Sequence, residues 1–329
     1  MERTLLKNPS HASNYSRIIN EYLSLGFAKC VSPDYAQFYI PHHAVTSSEK
    51  LRVVFNASAE YQGASLNKLL CKGPDLLISL IGVFLRFRFH RIPVSSNIEK
   101  MFHQVKVLEK DRPKLSFIWR EPGSADPPST YCMTVHIFGA VSSPSTCQFV
   151  LNRKAEENRE QFPDVADLVK KSFYVDNFLH SFEDEEDGVK KCESLYRMLQ
   201  KGGFRLTKWL SSREVMAGIK SEERIKPTLN LDLDPLPTEK TLGVYWNSEE
   251  DVFLFKIKLQ TGANTKRTIL SATSSVYDPL GFLSPVIFTS KIILQQLWKE
   301  DLHWDEELPG PLLEAWKSWS ESDSTLNRS

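Results

Sequence analysis

The chain has 329 residues, 41% of them hydrophobic and 25% charged, which is enough apolar material to bury a sizeable core and excludes a disordered chain; the length suits two or three compact units. Its 41 Lys and Arg cancel 41 Asp and Glu, so no overall positive field marks a nucleic-acid partner, and any basic groove has to be built locally. Five cysteines at wide spacing with no Cys-x-x-Cys exclude a disulfide framework and a zinc knuckle, and they read as buried thiols in a reducing compartment.

No apolar run reaches the length of a membrane span, and residues 1–10 are polar and charged rather than signal-like, so a soluble, intracellular, cytoplasmic protein is expected. In chain order, Tyr15, Ile18, Ile19, Tyr22, Leu23 and Leu25 recur at helical spacing, with Gly26 as a stop. Residues 38–41 and 51–55 are β-branched and aromatic runs that predict a hairpin, and His42 and His43 between them lack the spacing of a helical metal pair and read as structural or solvated. Leu76, Leu77, Leu80, Ile81, Val83 and Phe84 describe a helix over 74–87, opened by Gly73-Pro74-Asp75. Arg86, Arg88, His90 and Arg91 follow it, either as contacts to phosphates or as a solvated helix end.

After Pro93 the period changes to strand, at 94–98, 105–108, 115–119 and 131–135, and a helix over 142–160 comes next. Residues 173–175 and 179–182 flank Asp176-Asn177 as a hairpin. An acidic run at 183–187 complements the dipole of a helix over 187–200, whose Val189, Cys192, Leu195 and Leu199 share a face and which ends at Gly202-Gly203. Residues 220–240, with Pro227, Pro235 and Pro237, read as a linker; 242–246 and 252–257 suggest another hairpin, and from Thr268 the chain is mostly helical. The order strand, helix, hairpin, helix, strand predicts an α+β fold, an antiparallel sheet with helices on one face of the split βαβ type.

Taken alone, Phe173-Tyr174-Val175-Asp176-Asn177 is a hairpin with a polar turn. Other segments in order change that reading: Lys50-Leu51-Arg52-Val53-Val54-Phe55-Asn56-Ala57-Ser58, Ser65-Leu66-Asn67, Val94-Ser95-Ser96-Asn97 and Val135-His136-Ile137-Phe138-Gly139-Ala140. Gly203-Phe204-Arg205-Leu206-Thr207-Lys208-Trp209, Leu242-Gly243-Val244-Tyr245-Trp246 and Val276-Tyr277-Asp278-Pro279-Leu280-Gly281 complete the series. Together they resemble the motifs of a reverse transcriptase of the Bel/Pao group of long-terminal-repeat retrotransposons, over nearly the whole chain.

The resemblance implies a right-hand polymerase fold: fingers over 1–92, a ferredoxin-like antiparallel palm over 93–250 with fingers-proximal strands at 108–132 and a linker at 220–240, and a helical thumb or connection over 251–329. It implies RNA-directed DNA synthesis with two magnesium ions as cofactors and, as partners, primer–template nucleic acid and deoxynucleoside triphosphates. Asp176, Asn97 and Asn177 fall on the catalytic, metal-binding positions, where the family has three carboxylates. Lys208 falls where a proton can be given to the leaving pyrophosphate, or is a surface lysine. Lys50 and Arg52 fall where the triphosphate is gripped, or are a solvated strand edge. Phe102 falls beneath the sugar, or is plain core, and Gly139 falls where backbone approaches the nucleotide, or is an ordinary turn glycine.

Asparagine is nearly isosteric with aspartate, so the two replacements leave the shape and remove two charges, with Glu99 expected to point away from the site. Lost or severely impaired polymerisation follows, since electrostatic stabilisation carries most of this reaction. One G-to-A transition per codon makes each change, the mark of a decaying mobile element. The rival readings are a non-catalytic nucleic-acid-binding or protein-interaction module derived from a retroelement, an active polymerase with an altered metal site, and a relic that folds poorly. With no protease signature before the motifs and no room for RNase H or integrase after them, one segment of a polyprotein is expected.

Overall fold

The computed structural model describes residues 2–47, 50–255 and 263–326. A short α1 (Glu2–Leu5) precedes α2 (Pro9–Ser24), which starts where the Asn8 side chain accepts the His11 N–H and Pro9 supplies a preset φ. Its buried Tyr15, Ile18, Ile19 and Tyr22 follow the helical period, and Gly26 at φ 70° ends it. Then come β1 (Ala28–Val31), β2 (His42–Ser47), β3 (Lys50–Phe55), α3 (Leu66–Leu69), α4 (Leu80–Phe87), β4 (Ile92–Ile98), β5 (Ser116–Trp119) and β6 (Ser129–Met133). The series continues with α5 (Ser143–Glu157), α6 (Pro163–Ser172), β7 (Phe173–Tyr174), β8 (Asn177–Phe182), α7 (Glu185–Gln200), β9 (Leu206–Leu210) and α8 (Arg213–Ala217). Last are β10 (Thr238–Thr241), β11 (Val244–Asn247), β12 (Val252–Leu254), α9 (Lys266–Ser275), α10 (Ser284–Lys299) and α11 (Gly310–Leu326).

The contacts divide the chain into two interleaved units. The first comprises Met1–Ile78, Ser96–Leu179 and Asp187–Lys208, and the second Ser79–Ser95, His180–Glu186 and Trp209–Ser329. In the first unit, β6 lies between β1 and β5, antiparallel to both, and β2 pairs antiparallel with β3 from His42↔Phe55 to Ser47↔Lys50. Tyr15, Ile19, Phe55, Phe117, Trp119 and Ile137 belong to one apolar cluster of this unit, each such side chain contributing about 1.5–3 kcal/mol by leaving water. In the second unit, α9, α10 and α11 close on Ile269, Ile293, Leu297, Leu312, Trp316 and Trp319, and a reciprocal capping box of Thr265 and Thr268 starts α9.

A three-stranded sheet has the order β10-β11-β12, and a four-stranded sheet has the order β7-β8-β4-β9. With α5 and α6 between β4 and β7, and α7 between β8 and β9, the chain order is βαββαβ, the split arrangement the sequence predicts. That connectivity puts the C-terminal end of β4 beside the start of β8.

Several local expectations change. The first strand of the β2–β3 hairpin is 42–47 rather than 38–41, because Ile40 N instead donates to Ser116 O, at 2.7 Å. The helix expected over 74–87 begins only at Leu80: Asp75 Oδ1 takes the Leu77 N–H, and Ser79 caps Gly82 N. Residues 105–108 make only an isolated bridge, Lys106↔Val135. The helix expected over 142–160 stops at Glu157, and α6 follows it. Cys132, Cys147 and Cys192 are buried as expected, while Cys30 and Cys71 are exposed. His42 is a structural histidine, bonded to Tyr15 Oη at 2.5 Å and to Ile118 O at 3.0 Å. Lys256 and Ile257, expected in the strand of β12, lie outside the described residues. No helix of the described residues is long and apolar enough to cross a membrane.

Candidate active site

Asn97 is the next-to-last residue of β4, and the Asp176-Asn177 turn is pinned beside it by Ile98 N donating to Asp176 O at 2.8 Å. Tyr174 pairs with Asn177, so Val175 and Asp176 form a two-residue turn, and Val175 takes φ 56°. A β-branched residue there is strained backbone, the conformation that turns the next side chain toward β4.

The three side chains meet. Asn97 Nδ2 donates to Asn177 Oδ1 at 3.3 Å, and Asn177 Nδ2 donates to Asp176 Oδ1 at 2.8 Å. Burial pushes the Asp176 carboxyl above its ordinary value, against the opposing pull of Asn97 and of the Lys208 and Arg52 charges. Lys208 lies on β9 next to Thr207, whose Oγ1 donates to Asn97 O at 3.5 Å. Arg52 lies on β3, facing opposite to the buried Val53 and Phe55. Both cations are exposed, and among the described residues neither has an ion-pair partner. Lys50 opens β3, and its side chain lies outside the described residues.

Phe102 is 7% exposed and meets the Phe138 ring edge-on, at 4.4 Å between centroids. Gly139 follows at φ 100°, where a Cβ would stand 2.3 Å from Phe55 O, so its lack of a side chain serves the close approach of β3. Asn67 holds this loop: Nδ2 donates to Gly139 O at 2.9 Å and to Ser58 Oγ at 2.8 Å, and Oδ1 accepts from Val141 N at 2.8 Å. Sequence reasoning gave Asn67 no role, although an asparagine between two turn-rich motifs is suited to bridging backbone groups. Arg88, expected as a phosphate contact or solvated, instead pairs with Asp251.

The donor set does not fit a pair of magnesium ions. Hard divalent cations need several charged oxygens, whereas here one carboxylate accepts from the Asn177 amide, which in turn accepts from the Asn97 amide. Glu99 is turned to Arg205, with Nη1 to Oε2 at 3.3 Å. Among the described residues no group of three His, Cys, Asp or Glu side chains could hold a metal ion.

Residues 88–209 match the family model described as reverse transcriptase (RNA-dependent DNA polymerase), a family that uses divalent metal ions. Residues 265–328 match the model described as Pao retrotransposon-like RNaseH-like domain, within the segment expected as thumb or connection and contrary to the expectation that no room is left for an RNase H. Among solved structures, the chain is similar to a foamy viral protease–reverse transcriptase in complex with double-stranded DNA, with a TM-score of 0.60 and 14% identity. That match covers 96% of this chain and 48% of the other, so this chain spans about half its length. No curated protein matches the chain by sequence.

Proposed function

We propose that this chain, which carries the reverse-transcriptase domain of a Bel/Pao-type retroelement, binds a primer–template duplex and does not extend it. The carrying observation is the hydrogen-bonded chain Asn97, Asn177, Asp176, one negative charge where the family's chemistry calls for three. In the family, paired divalent cations activate the primer hydroxyl and neutralise the phosphates. These side chains supply no such pair with ligands, so loss of synthesis by at least about a thousandfold is expected, comparable to removing preorganised electrostatic stabilisation. The lesion is chemical rather than architectural, because the isosteric amides occupy the same corner of the sheet.

Residues 1–92 act as fingers, 93–250 as palm and 251–329 as thumb or connection, with Phe102, Gly139 and Arg52 around the nucleotide position. A foamy viral relative of this fold holds double-stranded DNA, which supports a duplex as the partner here. Phosphate contacts make such binding salt-sensitive.

The test is binding of an RNA–DNA primer–template hybrid across a salt series, together with extension in magnesium. The expected result is binding that weakens with salt and no added nucleotides. Absence of binding at low salt, or growth of the primer, overturns the reading.

A further inference from the structure

Ile269 and Ala272 of α9 pack with Ile293 and Leu297 of α10, and the neighbouring faces of the same two helices line a cleft of about 520 Å³. From α9 come Leu270, Thr273 and Ser274, and from α10 Ile287, Lys291 and Leu294, each set stepping by three or four residues along one helical face. Phe288, 64% exposed, adds an aromatic wall that the fold itself leaves uncovered.

Two polar groups of this cleft have no partner among the described residues. Thr273 is 7% exposed, and its Oγ1 makes no hydrogen bond. A threonine hydroxyl within a helix ordinarily bonds back to a carbonyl one turn earlier; buried and unpaired it is costly, and valine would fill the same shape without that cost. Such a group calls for an explanation, and a ligand that completes its hydrogen bonding is one. Lys291 is exposed and has no ion-pair partner among the described residues, and neither α9 nor α10 contains an Asp or Glu. Asp278, the carboxylate that also lines the cleft, is turned to its own loop: Oδ1 accepts from Gly281 N at 2.9 Å and Phe282 N at 3.1 Å, and Oδ2 from Leu283 N at 2.6 Å. The charge left to meet a ligand is the Lys291 ammonium.

We infer that this cleft binds a free apolar monocarboxylate of the fatty-acid class, its chain against Leu270, Phe288 and Leu294 and its carboxylate held by Lys291 Nζ and the Thr273 hydroxyl. Apolar walls with a few placed polar groups are the ordinary form of a small-molecule site. Burial of the chain supplies the affinity, and the ammonium and hydroxyl select the head group. None of positions 97, 176 and 177 takes part, so the inference stands or falls apart from the polymerase reading.

Calorimetric titration of the full chain with decanoate, decylamine and acetate, each below the concentration at which micelles form, tests it. Decanoate should bind, decylamine about tenfold or more weakly than decanoate, and acetate not at all. Lys291→Gln should weaken decanoate about tenfold and remove its advantage over decylamine. Thr273→Val should weaken decanoate about threefold or more while the melting midpoint of the free protein holds or rises, which a purely structural hydroxyl would not do. Ser274→Trp, at an exposed position lining the cleft, fills it and should abolish binding in a chain that still melts cooperatively. No decanoate binding by a cooperatively melting wild type, equal affinity for decylamine, or decanoate binding unmoved by both Lys291→Gln and Ser274→Trp overturns the inference.

Discussion

Aspartate and asparagine differ by an oxygen against an NH2 group, a difference small in volume and large in charge and in hydrogen-bonding sense. At positions 97 and 177 the amide brings donors to a corner where carboxylates would only accept. The result is a chain of two bonds, at 3.3 Å and 2.8 Å, linking Asn97, Asn177 and Asp176. Two neighbouring residues give predictions of their own. Gly139→Ala puts a methyl 2.3 Å from Phe55 O on a backbone at φ 100°, and denaturant unfolding should show a loss of about 2–4 kcal/mol. His103, 6% exposed, lies between the Tyr22, Phe27 and Phe138 rings with no hydrogen-bond partner for Nδ1. Burial first, and then the Lys100 charge, lowers it from 6.5 to about 4, with Glu21 opposing. Between these values the unfolded chain binds the extra proton, so stability is full above 6.5 and falls as pH drops through the window, levelling off near 4. The loss amounts to about 3 kcal/mol, and His103→Phe should flatten that part of a stability-against-pH curve.

The turn between β7 and β8 is the element on which the site depends, and Val175 holds it at a cost. A two-residue hairpin turn with positive φ at its first central residue favours glycine, yet the residue there is valine at φ 56°. Val175→Gly should raise stability by about 1 kcal/mol in thermal unfolding, since strain of this kind costs roughly 1–3 kcal/mol. An unchanged or lower midpoint would show that side-chain packing of Val175 outweighs the strain. The elements themselves were largely legible: α2, β3, β4, β8 and α7 follow from period and punctuation, and the βαββαβ order follows from their sequence. What was hidden depended on partners far along the chain. No local pattern says that Ile40 bonds to Ser116, which displaces the first hairpin strand to 42–47. Nor does one say that Gly243, at φ 93°, makes room for the Tyr277 ring, where a Cβ would lie 2.4 Å from Cε1. The convergence of Asn97 with Asp176 and Asn177 was readable only because recognised motifs carried it; Asn67, known by position, showed its role only through its bonds to Ser58, Gly139 and Val141.

Over the whole molecule the 41 basic and 41 acidic residues cancel, so attraction for phosphate cannot come from net charge. Ion pairs hold many of the cations, including Lys100 with Glu21, Arg120 with Glu2 and Arg213 with Glu249. Exposed pairs of this kind add little stability. Among the described residues, apolar clusters lie around Phe55 and Phe117 in one unit and around Leu297 and Trp316 in the other, and β4 and β8 bury Val94, Ile98, Phe178 and Leu179 beside the corner itself. The proposed reading is that two amides remove charge at the β4–β8 corner while this fold is kept.

Primer extension in magnesium by the wild-type chain beside its Asn97→Asp, Asn177→Asp double variant tests that account most directly. It predicts synthesis by the double variant alone; brisk copying by the wild type, or a folded, hybrid-binding double variant that stays inert, would contradict it.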